Sequence, residues 1–226
     1  MARPRLSASV LATLAPCMDR DDTGEDDAEW PNNIISSRAV AYRTGTIARR
    51  GEPLDPVAPG ELALCRRLAR QAAAIMKTVP VGMGSETSAC FRPFFVTAGV
   101  DGPRRRRIDE RVIRRAFGGT IFPPATITVE PVEQRGVWWS EVLQDGEGQD
   151  ELYFVPWRAL IVWFGRQKAF VDSAFVRIGD SQALMDLPEN RYPQGTDTPG
   201  CVLPRLALGL THAGSLTGLF GYVVQT

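Results

Sequence analysis

The sequence predicts an α+β fold, mainly antiparallel β, closed as a sandwich or jelly-roll-like barrel. Two helices fall in its first half and an extended arm precedes them. Three observations carry this reading. From about residue 125 onward, short apolar or alternating runs follow one another across short polar links, as strands paired in antiparallel order do. In the first half, two stretches repeat apolar residues at helical spacing. Residues 1–36 show neither period; they mix Pro, Ser and a dense acidic patch. The organisation expected is therefore an N-terminal arm over 1–36 and a single β-rich domain over 37–226, long enough to bury a real core.

In chain order, RAVAYRTGTIA (38–48) alternates and reads as a strand, and the Pro- and Gly-rich RRGEPLDPVAPG is a loop. ELALCRRLARQAAAIMK (61–77) is a helix. Leu64, Cys65, Leu68, Ala72, Ile75 and Met76 form its apolar stripe, Pro59 suits its first turn and Pro80 stops it. ACFRPFFVTAG (89–99) is a strand in which Pro93 demands an edge or a bulge. Further strands are expected at 125–130, 136–142 and 151–155. RALIVWF (158–164) and KAFVDSAFVRI (168–178) read as a hairpin around GRQ. No charge follows Arg205, and LALGLTHAGSLTGLFGYVVQT is long enough to span a bilayer. Its four glycines, His212, Ser215 and three threonines make two buried strands around an HAGS turn the better reading.

Charge is where the chain departs from the ordinary. Formal net charge is +0, yet GPRRRRIDERVIRRAFGG (102–119) carries Arg104, Arg105, Arg106, Arg107, Arg111, Arg114 and Arg115. Seven arginines against Asp109 and Glu110 leave +5. On a helix over 104–117, Ile108, Val112, Ile113, Ala116 and Phe117 share one side and the arginines cover the rest. Asp101 is a candidate cap, Glu110 and Arg114 an i,i+4 pair, and Gly118–Gly119 a stop. The anion that could meet this helix lies in the arm. Asp19, Asp21, Asp22, Glu25, Asp26, Asp27 and Glu29 against Arg20 give a net −6. Pairing of arm and helix, within a chain or between copies, is favoured over nucleic acid because the whole chain has no basic excess to steer it to a polyanion. The plain alternative is two unrelated solvated charge runs.

Sites of other kinds are thin. Asp19, Asp21, Thr23, Gly24 and Asp27 fall at calcium-loop positions, but Trp30 stands where the bidentate carboxylate belongs. GDS at 179–181 resembles the block of serine esterases, yet Gly209 precedes His212 where that family needs Asp, and a serine without its base is inert. VPVGMGSETS (79–88) lacks the lysine of a phosphate loop. Cys17, Cys65, Cys90 and Cys201 lie far apart and, with one histidine, offer no zinc spacing. They are expected to be free, buried thiols. Adjacent Trp138 and Trp139 must point to opposite sides of a strand, which suggests a partner surface. No cofactor, metal or membrane partner is implied. The basic N-terminus precedes an apolar run broken by Ser, Thr and Pro, so no signal peptide is read and the setting expected is reducing and intracellular, or a virion.

An enzyme needs an acid, base, nucleophile or metal set, and none stands out. The sequence therefore points to a non-enzymatic structural subunit, a homo-oligomer or larger assembly that looks similar in outline to virus or phage coat proteins. The alternatives are a small-molecule-binding or enzymatic β-barrel, and a nucleic-acid-binding accessory protein using Arg104–Arg115.

Overall fold

The computed structural model describes residues 34–35, 39–49, 51–77, 79, 90–100, 105–132, 154–191 and 202–224. Among them the elements run β1 (Ala39–Ala41), β2 (Ile47–Arg49), α1 (Pro59–Ile75), β3 (Arg92–Val96), α2 (Glu110–Ala116), β4 (Ile127–Pro131), α3 (Phe154–Arg166), β5 (Phe170–Ile178), α4 (Ser181–Met185), β6 (Val202–Thr211) and β7 (Leu216–Val224). The arm apart from Ile34 and Ile35, the strand expected at 136–142 and the loop at 81–89 lie outside the described residues.

The uncharged run after Arg205 forms the middle of the sheet. β6 and β7 pair antiparallel from Val202↔Val224 to Leu210↔Leu216, closed by the turn over 212–215. Five strands lie in the order β3-β7-β6-β5-β4, every neighbouring pair antiparallel. β3, with Pro93, is an edge strand, where the missing N–H costs no ladder bond. Every residue of β6 is buried. A strand covered on both sides reads as a continuous apolar run, which is why LALGL shows no alternation.

Directly paired residues share a face. Phe94, Gly218, Leu208 and Ala174 stand in register on one side; Pro93, Leu219, Ala207 and Phe175 stand on the other. α1 and α3 cover the Phe175 side. Thr217 donates its hydroxyl to the Cys65 carbonyl of α1 at 2.8 Å, and Trp157 of α3 meets Phe175 edge-on with ring centres 6.5 Å apart. α2 covers the opposite side, with Phe117 stacked on Phe94 at 5.8 Å and Phe94 tilted against Phe220 at 5.3 Å. The described residues thus form an α+β fold, mainly antiparallel, with helices on both faces of one sheet.

Two local expectations are corrected. Residues 38–48 are two short strands, because Gly45 adopts a φ of 81° and its N–H bonds the Tyr42 carbonyl in a tight turn. Residues 154–166 form a helix, so 158–164 is no strand and makes no hairpin with β5, and Phe154 and Val155, expected to end a strand over 151–155, open that helix instead. Trp157, Leu160 and Phe164 are its buried seam, at i, i+3 and i+7. Val155 and Val162 are apolar too but point to solvent, and they hide that period in the sequence. With α3 and α4, helices also occupy the second half, beyond the two expected in the first.

Candidate functional site

The arginine segment is divided by its fold into three kinds of side chain. α2 begins at Glu110, not at 104. Its cap is Asp109, whose carboxylate accepts the Val112 N–H at 2.8 Å, and not Asp101. Residues 105–107 therefore approach the helix from outside it, and the acids Asp109 and Glu110 occupy the positive end of the macrodipole. Ile108, Val112, Ile113 and Phe117 are buried and Ala116 is half-buried, the apolar stripe the sequence predicts. Gly118 and Gly119, at φ 59° and 64°, end the helix as expected. Gly118 also has a packing reason, since a Cβ there would lie 2.6 Å from the Ile47 carbonyl oxygen of β2.

Arg114 turns inward. It meets Glu110 at 2.8 Å, the predicted i,i+4 pair, and donates to the Ala125 carbonyl at 2.6 Å, so it braces the loop between α2 and β4. Arg105, Arg106, Arg107, Arg111 and Arg115 are exposed, and among the described residues they make no hydrogen bond or ion pair. Arg111 and Arg115 are themselves an i,i+4 pair of like charge, an arrangement that disfavours the helix by about 0.2–0.5 kcal/mol unless an anion lies between them. Arg104 and the acids Asp19, Asp21, Asp22, Asp26 and Asp27 lie outside the described residues.

Beside α2 the chain leaves a cleft of about 220 Å³. Ile47, Val96, Val112 and Leu216 give it apolar walls. Arg105, Arg111 and Arg115 stand around it, with Asp55 the one acid among the described residues of its lining. Several bonds hold its frame. The Ala98 N–H donates to the Ser215 hydroxyl at 3.0 Å, and the Thr97 N–H donates to the Gly45 carbonyl at 3.1 Å. The Val100 N–H reaches the Pro56 carbonyl at 2.9 Å and fixes the loop that carries Asp55. Sequence reasoning saw the arginines but not the cleft, because its walls come from five separate segments.

Behind the cleft lies a buried polar knot. Thr211 donates to Glu61 at 2.6 Å and accepts the Ser215 N–H at 3.1 Å. The Cys65 thiol points at the same Glu61 oxygen from 3.7 Å. Burial first, and the Glu61 charge second, push that thiol up to about 12. A neutral, enclosed thiol is a packing group rather than a nucleophile. Cys90 is exposed, contrary to the expectation of buried cysteines; both are free.

The weaker sequence candidates also find places. Asp180 of the GDS block caps α4 by accepting the Ala183 N–H at 2.9 Å, which accounts for that residue structurally. His212 bonds the Lys168 carbonyl at 3.2 Å, tying the β6–β7 turn to the start of β5. Among the described residues no three His, Cys, Asp or Glu side chains gather to hold a metal ion, and no helix is long and apolar enough to cross a membrane. No protein-family model matches the chain, and no curated protein matches it in sequence.

Proposed function

We infer that this chain is a non-enzymatic structural subunit that self-associates through its acidic N-terminal segment and its arginine-rich helix, in the manner of a virus or phage shell or tail component. The observation that supports the reading is the set of five exposed arginines that make no ion pair among the described residues, in a chain whose net charge is +0. The matching anion is the −6 run over 19–29. Exposed ion pairs contribute little each, so this contact would select geometry and partner more than it would stabilise the subunit. An extended arm over 1–36 and closure of the β-rich body as a sandwich or jelly-roll belong to the same reading.

The test is molar mass by light scattering, at low and high salt, for the full chain and for a chain lacking residues 1–33. An assembly that dissociates at high salt or on loss of the segment supports the reading. A monomer under every condition overturns it. Nucleic-acid binding through Arg104–Arg115 is the second reading, favoured by the exposed arginines among them. It requires an affinity for DNA or RNA that falls steeply with salt.

A further inference from the structure

We propose that the cleft beside α2 is a binding site for a compact phosphorylated organic anion. This goes beyond the assembly reading and does not depend on it, because every residue it uses is described and belongs to one chain.

Size sets the first limit. A cleft of about 220 Å³ lies below the roughly 300–1,000 Å³ of sites for drug-sized ligands, so the occupant is small. Charge sets the second. Among the described residues, Arg105, Arg111 and Arg115 against Asp55 leave the lining at +2, which a phosphate dianion balances and a carboxylate does not. Guanidinium groups present paired N–H donors that match phosphate oxygens in forks, and these three have no protein acceptor among the described residues. They line the cleft from two segments, the approach at 105 and one face of α2. The walls set the third limit. Val96 and Leu216 belong to the sheet and Val112 to the helix, and they share the lining with the arginines, so the cleft offers apolar contact beside charge. A ligand that joins a phosphate to a small apolar body meets both kinds of lining. Arg106 and Arg107, exposed beside the cleft but not lining it, provide an internal control.

The experiment is calorimetric titration of the full chain with phenyl phosphate, inorganic phosphate and benzoate. The variants are Arg111→Gln, Arg115→Gln and the control Arg106→Gln, all at exposed positions. The expected result is saturable one-site binding of phenyl phosphate, tighter than either inorganic phosphate or benzoate. Binding should weaken about tenfold in each cleft variant and stay near the parent value in Arg106→Gln. Absence of saturable binding overturns the site. Equal loss in Arg106→Gln overturns it too, by reporting a diffuse basic field. Benzoate binding as tightly as phenyl phosphate overturns the assignment to phosphate. Light scattering on the same samples separates this outcome from the assembly reading, since mass and ligand affinity are measured independently.

Discussion

Asp172 reaches from β5 to accept the backbone N–H of Ile108 in a 2.6 Å hydrogen bond. One carboxylate of the sheet thereby holds the start of the arginine segment, and Asp109, one residue on, caps the helix that follows. Exposed like charges stand on a helix anchored at its foot by two acids.

Asp172→Ala should cost about 1.5–3 kcal/mol, the usual range for a hydrogen bond to a charged group. For a chain of this size that lowers Tm by about 3–12 °C, read by circular dichroism. Asp172→Asn keeps an acceptor oxygen and should lose less. Equal melting of Asp172→Ala and the parent would show that the bond does not hold the segment.

Within α2 the arginines should separate by stability. Arg114→Ala removes the ion pair with Glu110 and the bond to the Ala125 carbonyl, and should destabilise by about 1–3 kcal/mol. Arg111→Ala and Arg115→Ala touch no protein partner among the described residues and should stay within about 0.5 kcal/mol, or gain slightly as like-charge repulsion is relieved. Urea midpoints of the three variants test this ordering; a loss at Arg111 equal to that at Arg114 would contradict it.

Cys65 should be silent toward alkylation in the native protein near pH 8, while exposed Cys90 reacts. Mass spectrometry of briefly labelled native and unfolded protein distinguishes the two sites. Burial pushes the folded thiol up to about 12 from the ordinary 9.0. A raised value means the neutral form is favoured by folding. Its contribution is therefore complete below pH 9 and is lost as pH rises toward 12. Cys65→Ala should flatten the fall in stability across that alkaline window, and an unchanged pH profile would count against the buried thiol as its source.

Where one side of an element faced the core and the other faced water, the sequence was enough. α1 was legible because Cys65, Leu68 and Ala72 recur at helical spacing against exposed Arg66, Arg67 and Arg70. The stripe of α2 was legible for the same reason, though its start was not. Asp101 and Asp109 are equally good caps by type, and the choice fell to Asp109 where Asp172 fixes the chain. α3 was misread because solvent-facing Val155 and Val162 sit among its core residues, and β-branched and aromatic side chains favour strands in isolation. Tertiary packing of Trp157, edge-on to Phe91 at 5.6 Å, overrides that preference.

By itself the sequence determined the antiparallel tail hairpin, the two first-half helices and a concentration of arginine in a neutral chain. These follow from periodicity, turn residues and formal charge, all properties of neighbours along the chain. Only the tertiary structure decided which arginines are bound to the protein and which stand beside a cleft with no partner among the described residues. Arg111, Arg114 and Arg115 are the same residue type within five positions. Their environments differ because the Ala125 carbonyl, Val96 and Leu216 arrive from distant segments, and proximity of that kind is set by packing rather than by local pattern.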